Sequence, residues 1–500
     1  MNVGRIISEI VPVKANEPAL YFKESHFTYG KINAIANSLA NHLTGSGIRH
    51  KDNIAVILPN CPEFAFVYFA SVKIGAIFTP IDTRLGEKDV NSILTDTNAK
   101  ICFVYPDFPL IEKLNQSVRI IDITGEEFRS HINNPAEIKD IITEVNPDDT
   151  ALYLHTSGTT GKPKIVELKS SNLDCFPEAM RDITELHENE IFGMVLPMSH
   201  ISGPIFLNLL LIERCKLVII DSINPNTVFE NISKHRITFM HGVPPIFSLM
   251  LQSSLAERYD TSSLRLIAMM GTSVPVSLMN KFKMAFPHVT VLQGYGLTET
   301  SPLITLTKKE DADQKRASIG TPVEGAEVKV IDEEDNQLGA GRIGELIVKG
   351  PMVMKGYLNL PEENAQRIKN GYFYTRDLVK YDSDNYYYHM GRRDDLVVLA
   401  NGLKVYPAEI KNIIFSHPSV VDSEVIGIHS EKEKGNILHA FIVPAQNAHL
   451  SENEIRSLCS EHLGSIKTPK KVTIIASIPK TSTGKTNIQE LKNLTGSNDT

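Results

Sequence analysis

The sequence predicts an α/β protein with a large N-terminal domain of βα layers (residues 1–393) and a small α+β C-terminal domain (394–500). Three observations lead there. A chain of 500 residues exceeds what one hydrophobic core ordinarily organises. Before about Ser318, short apolar runs alternate with segments of helical periodicity, as in βα units around a largely parallel sheet. Beyond it glycines and short strand-like runs take over, so a β-rich subdomain is expected at about 318–390.

Ile32, Ile35, Leu39 and Leu43 recur at helical spacing, and Gly45 and Gly47 close that helix. Residues 54–58 form an apolar strand ended by Pro59-Asn60. A helix at 63–73, a strand at 76–81, a helix at 88–95 and a strand at 101–105 follow. Tyr153-Leu154 and residues 165–168 read as strands flanking a polar loop. Strands at 217–220 and 238–240 enclose a helix; then come a strand at 264–269, a helix at 276–286 and a strand at 289–292. In the β-rich part, 328–331 and 345–349 are strands separated by Gly339, Gly341 and Gly344, and further β structure runs from 372 to 389. The C-terminal part holds a hairpin-like segment around Gly402, a helix at 408–415, strands near Val425 and Phe441, a helix at 452–463 and a strand near Val472. No short period repeats, which argues against a solenoid.

Composition narrows the class. Hydrophobic residues make up 42% and charged residues 22%, as in globular proteins. A net charge of −8 gives no sign of a nucleic-acid partner. Cys61, Cys102, Cys175, Cys215 and Cys459 form no Cys-x-x-Cys pair, so neither a zinc site nor a disulfide framework is expected and a reducing compartment is. Arg5, Glu9 and Lys14 interrupt any signal-like apolar region, and no apolar run reaches the roughly 20 residues of a membrane helix. A soluble, cytoplasmic protein is expected.

Thr156-Ser157-Gly158-Thr159-Thr160-Gly161-Lys162-Pro163-Lys164 is the stretch around which the chain is organised. Glycines let backbone N–H groups approach an anion, while hydroxyls and lysines add donors and charge, so the loop suits a polyphosphate. It is not the P-loop motif, because Thr156 stands where that motif needs glycine and Pro163 where it needs Ser or Thr. A plain basic surface loop is the alternative. Gln293-Gly294-Tyr295-Gly296-Leu297-Thr298-Glu299-Thr300 follows a strand; it can stack a planar base on Tyr295 and hold a cation with Glu299, or be a βα turn with a capping Thr/Glu pair. Asp377 in Tyr374-Thr375-Arg376-Asp377 and the run Gly391-Arg392-Arg393-Asp394-Asp395 read, taken singly, as turn residues. Pro479-Lys480-Thr481-Ser482-Thr483-Gly484-Lys485 reads as another basic loop, and His200 in Pro197-Met198-Ser199-His200-Ile201-Ser202-Gly203 as a lone histidine.

Taken together and in order, these stretches resemble the motifs of the adenylate-forming superfamily: acyl-CoA synthetases, luciferases and peptide-synthetase adenylation domains. The resemblance covers nearly the whole chain, including Phe27-Thr28-Tyr29 and Val56-Ile57-Leu58-Pro59-Asn60. It implies a barrel-like β subdomain and a mobile C-terminal domain hinged at Asp394. It implies that 156–164 holds ATP phosphates, that Gly271-Thr272-Ser273 and the stretch from Gln293 to Gly296 face adenine, and that Thr298 meets phosphate and Glu299 Mg²⁺. Asp377 would hold the ribose hydroxyls, Arg392 ribose and phosphate, and Lys485 would be catalytic in adenylation. His200 would lie between the acyl pocket and the thiol channel, and the Gly402 loop would enter for the second half-reaction.

The implied reaction joins a fatty or aryl carboxylic acid to CoA through an acyl-adenylate. A carrier-protein phosphopantetheine thiol as acceptor, a luciferase-like oxidation and a non-catalytic nucleotide- or acyl-binding protein are the alternatives. Ile201 stands where amino-acid-activating relatives place Asp; it cannot pair an ammonium group, and burying an unpaired charge is costly. Residues 241–245 and the helix after Gly203 (Ile205, Phe206, Leu209) are candidates for the acyl pocket. Three departures stand out: Arg376 for Gly beside the ribose carboxylate, Ile165 for Gly after the phosphate loop, and Ser170-Ser171 before Asn172 where a His is usual.

Overall fold

In the computed structural model, residues 3–135, 140–156, 163–253, 255–272, 274–431, 433–445, 448–480 and 486–495 are described. The alternation of strand and helix sorts into two sheets rather than one. The first has seven strands. Thr150–Thr156, Ile77–Pro80, Asn53–Ile57, Ala99–Val104 and Arg119–Asp122 run parallel, and Lys164–Lys169 and Gly356–Tyr357 extend one edge antiparallel. The second has nine strands, with a parallel centre of Pro18–Phe22, Lys216–Ile219, Ile191–Met194, Phe239–Gly242, Leu266–Met269 and Thr290–Tyr295. Every residue of Asn53–Ile57 and of Leu266–Met269 is buried. Strands covered on both faces read as unbroken apolar runs, which is how the sequence showed them.

Three cores define the layers. Helices Tyr29–Gly45, Pro62–Lys73, Cys175–Thr184 and Ser202–Ile212 lie between the sheets and bury residues of both, among them Leu39, Phe66, Leu152, Phe206 and Leu266. The outer face of the nine-stranded sheet carries Pro225–His235, Pro244–Gln252 and Val276–Ala285. The outer face of the seven-stranded sheet carries Glu87–Asp96. Helix Tyr29–Gly45 begins where Thr28 accepts a bond from the Lys31 amide at 3.2 Å.

The expected β-rich part is an antiparallel sheet of Glu327–Ile331, Gly344–Lys349, Tyr372–Tyr381, Ile368–Lys369 and Tyr387–Arg392. After the single turn Arg393–Asp395 the chain builds a separate core around Val397, Val405, Ile410, Leu438 and Ile455, from the sheet Val420–Ser430, Gly435–Pro444, Lys471–Ile474 and helices Pro407–Phe415 and Glu452–Leu463. The last of these starts on a capping box between Ser451 and Glu454. Among the described residues no helix is long and apolar enough to cross a membrane.

Candidate active site

Strands Thr150–Thr156 and Lys164–Lys169 form a hairpin whose last pair is Thr156 with Lys164. The two described ends of the glycine-rich stretch are therefore paired on the seven-stranded sheet. Ser157, Gly158, Thr159, Thr160, Gly161 and Lys162 lie outside the described residues, as do Ser273 and Lys485. At the base, Lys164 pairs with Glu363 at 2.7 Å and lies over the Tyr357 ring. Ile165 is buried against Ile77 and Tyr153, so this departure falls in the strand, where an apolar side chain packs.

A tight polar cluster surrounds Asp377. The carboxylate is 4% exposed and accepts from Tyr295 Oη at 2.5 Å and Arg392 Nε at 3.1 Å; His389 Nε2 lies 3.4 Å away. Burial pushes its carboxyl upward, but His389, Arg392 and Tyr295 outweigh it and hold Asp377 below the usual carboxylate range. Tyr295 comes from the end of a parallel strand and Asp377 and Arg392 from paired strands of the antiparallel sheet, where their Cα atoms face each other. The cluster thus joins two architectures at the C-terminal ends of parallel strands, the usual ligand edge of α/β sheets. Gly296 follows; a Cβ there would stand 1.6 Å from the Pro302 carbonyl oxygen, so only glycine fits.

Glu299, in the single turn Thr298–Thr300, accepts from Tyr357 Oη at 2.8 Å. Its own carbonyl accepts from the Met354 amide, and the segment holding Met354 is pinned by Asn172, whose side-chain amide donates to the Pro351 and Val353 carbonyls. Tyr357 and Asn172 are supports that motif reading missed, because both lie far from Glu299 in sequence. The Gln293 side chain is buried and bonded to the fold. In the amide orientation that satisfies it, its nitrogen donates to the Arg316 and Ser318 carbonyls at 3.1 and 3.3 Å. Gly271 and Thr272 are exposed at the end of the neighbouring strand.

The Arg376 departure has a conformational meaning. It sits at a bulge in Tyr372–Tyr381 with φ of 61°, the left-handed region. A Cβ there costs roughly 1–2 kcal/mol, so glycine is the easy residue and arginine is held by its contacts. Its amide donates to the buried Glu345 carboxylate at 2.9 Å and its guanidinium reaches Asp394 at 3.5 Å.

His200 faces the buried Asp82 carboxylate at 3.7 Å. Arg84 holds Asp82 with two side-chain bonds and a backbone amide. Asp82 and Arg84 are a second feature that the sequence reading missed; they follow a strand end on the seven-stranded sheet, whereas His200 belongs to the nine-stranded side. In the C-terminal part, Lys411 and the Thr486 hydroxyl both donate to Glu424, at 2.9 and 2.8 Å. A cleft of about 430 Å³, lined by His389, Arg392, Asp395, Lys411 and Glu424, separates this part from the Asp377 cluster. Gly402 is exposed on the hairpin Val397–Val398 and Lys404–Val405, whose Lys404 pairs with Glu333.

Residues 8–358 match the family described as AMP-binding enzyme, and residues 409–485 match the AMP-binding enzyme C-terminal domain. The chain belongs to the AMP-binding enzyme family. This is the adenylate-forming superfamily of acyl- and aryl-CoA ligases that its motifs resemble. The chain is 30% identical over 463 residues to the long-chain-fatty-acid–CoA ligase FadD13 of Mycobacterium tuberculosis, with 92% of this chain and 91% of the relative covered. It is 28% identical over 460 residues to feruloyl-CoA synthase of Amycolatopsis sp, with 92% of each covered. Its structure is similar to that of the anthranilate CoA ligase AuaEII in complex with anthranoyl-AMP, with a TM-score of 0.92, 26% identity and coverage of 99% and 97%. It is also similar to the o-succinylbenzoate CoA synthetase MenE from Bacillus subtilis in complex with AMP, with a TM-score of 0.87, 26% identity and coverage of 97% and 98%.

This AMP-binding enzyme carries two buried histidines whose acid behaviour is testable. Burial pushes His155 down to about 4, helped by the charge of His200, and burial alone pushes His241 to about 4. Unfolded, each takes up a proton near its ordinary value of about 6.5. The unfolded chain therefore binds more protons between pH 6.5 and 4, and stability falls as pH drops through that window. Each histidine contributes about 3 kcal/mol of that loss by pH 4. Denaturant titrations of wild type and His241→Phe between pH 7 and 4 are expected to differ in slope by one histidine's share; equal slopes would refute the assignment.

Proposed function

We propose that this chain activates a carboxylic acid with ATP and transfers the acyl group to the thiol of CoA. The observation that carries the reading is the buried Asp377 with Tyr295, His389 and Arg392, in a chain that also sets Glu299 against Tyr357 and pairs Thr156 with Lys164. A carboxylate offers about four acceptor positions. Two ribose hydroxyls can replace Tyr295 and His389 on Asp377 while Arg392 keeps its charge paired. Residues 156–164 would then take the β- and γ-phosphates.

Glu299 fits a magnesium ion that is held mostly by phosphate and water, since such ions commonly take only one or two protein carboxylates. Tyr357 fixes one Glu299 oxygen and so aims the group. Bound there, Mg²⁺ would supply neutralising charge to the phosphates. The acid's carboxylate oxygen attacks the α-phosphorus, the bond to the β-phosphate oxygen breaks, and pyrophosphate leaves. Lys485 would bridge the two meeting anions. In the second step the thiol sulfur attacks the acyl carbon, AMP leaves and the thiol proton is lost. His200, oriented by Asp82, would assist that thiol.

Between the steps the residues after Asp394 would reorient and bring the Gly402 hairpin forward, a gating step of the kind that lets one site run two reactions. The acid is a fatty or aryl carboxylate. Ile201 opposes an amino acid, and it packs against the apolar core that holds Phe206 and Leu209.

Pyrophosphate release across a panel of fatty and aryl acids, with and without CoA, tests the reading when products are identified by mass spectrometry. The expected result is release stimulated by one acid class and an acyl-CoA product. Acyl-AMP that accumulates in the presence of CoA would move the acceptor to a carrier-protein thiol, and no release with any acid would refute the reaction.

A further inference from the structure

The residues that join the two parts of the chain are held by charge from one side. Arg393 donates from Nη1 to Glu345 Oε2 at 3.1 Å, and Asp394 pairs with Arg376 at 3.5 Å. Glu345 and Arg376 both belong to the antiparallel sheet, and they are tied to each other because the Arg376 amide donates to Glu345 Oε1 at 2.9 Å. One buried carboxylate therefore fixes both the strained Arg376 backbone and the first residue of the junction. The cores on either side are separate: Tyr387 belongs to the last buried strand of the large one and Val397 opens the small one. Only the turn Arg393–Asp395 lies between the strand Tyr387–Arg392 and Leu396.

A bulge that needs a left-handed residue is met at no steric cost by glycine. Arginine at that point persists against its backbone preference, and strain of this kind concentrates at switch regions. The bulge aims the Arg376 side chain at the junction. We infer that Arg376 is a positioning residue that acts through Asp394, an electrostatic latch that holds the C-terminal part in the present arrangement and opens before it reorients. The inference rests on the two-step reading above.

The latch is of a strength that can open. Both partners are partly exposed, at 37% and 49%, so the pair is worth only a few-fold in equilibrium. The Arg376 charge also lowers the carboxyl of Glu363, after the larger effects of burial, Lys164 and Arg367. Lys164 ends the phosphate-loop hairpin. On this reading the latched arrangement is the one before thioester formation.

The test measures the two half-reactions separately, pyrophosphate release with acid alone and CoA transfer from supplied acyl-AMP, in Arg376→Gly, Arg376→Ala, Asp394→Asn and the double variant Arg376→Gly/Asp394→Asn. The ratio of transfer to adenylation is expected to rise roughly two- to five-fold in each single variant and no further in the double. Arg376→Ala keeps the strain and loses the pair, so it separates the latch from the backbone. About 0.5 M salt should raise the wild-type ratio and leave Arg376→Gly unmoved. Amide exchange at residues 393–398 should quicken by a similar factor in Arg376→Gly, a readout independent of turnover. An unchanged exchange rate, or single effects that multiply in the double variant, would overturn the latch; a wild type that makes no acyl-AMP would overturn the two-step reading instead.

Discussion

Asp377→Ala is expected to lower kcat/KM for ATP by roughly 10²–10⁴-fold. Two hydrogen bonds to a charged carboxylate, each worth about 1.5–3 kcal/mol, disappear with it, and tenfold in rate corresponds to about 1.4 kcal/mol. Arg392 also loses the partner that fixes its guanidinium. The diagnostic comparison uses ATP analogues that lack one ribose hydroxyl. Wild type should discriminate against them, whereas Asp377→Ala should treat them like ATP. A variant that still prefers ATP as strongly would show that Asp377 does not hold the ribose. Thermal melts separate this from unfolding, since Tyr295, His389 and Arg392 are all left facing the vacated position.

What was legible in the sequence was what depends on local pattern. The helix Glu452–Leu463 has clean periodicity and a Ser/Glu capping box, and its expected bounds are those found. The buried parallel strands showed as short apolar runs. Pairing was not legible: two sheets of seven and nine strands carry the same βα rhythm as one, because rhythm says nothing about which strands meet. The helix Val3–Lys14 was missed because Pro12 reads as a breaker, although it sits in the final turn. The hairpin Pro18–Phe22 with Ser25–Thr28 was missed because its turn carries Lys23 at positive φ rather than glycine.

At the site, motifs nominated Tyr295, Glu299, Asp377 and Arg392, and three of them meet on one carboxylate. Their supports were invisible, since Tyr357 reaches Glu299 and Asp82 reaches His200 across long stretches of chain. Arg376 shows the limit most clearly. The sequence exposed a departure from glycine, but only the left-handed backbone and the Asp394 contact give it a role.

Lys485→Ala should separate the half-reactions more sharply than any change in the ribose cradle. Acyl-AMP formation brings a carboxylate to a polyphosphate, and a positioned cation that bridges both is worth about 10²–10³ in rate. Thioester formation from supplied acyl-AMP joins a thiol to a mixed anhydride and has no such meeting of anions, so it is expected to stay within about two-fold. The described residues on either side of 481–485 are anchored. Lys480 and Thr486 pair as an isolated bridge on either side of residues 481–485, Lys480 reaches Asp422 at 3.0 Å, and Thr486 donates to Glu424. Burial pushes the Glu424 carboxyl up, yet Lys411 and Thr486 hold it below its ordinary range, so the anchor stays charged near neutral pH. Glu424→Gln should therefore weaken adenylation in the same direction as Lys485→Ala but by less, because it loosens the loop and leaves the cation. If Lys485→Ala slowed both half-reactions equally, the lysine would be serving the fold or the nucleotide rather than the attack. If it slowed neither, the catalytic cation would have to be sought among Arg392, Lys411 and Lys492, which line the same cleft.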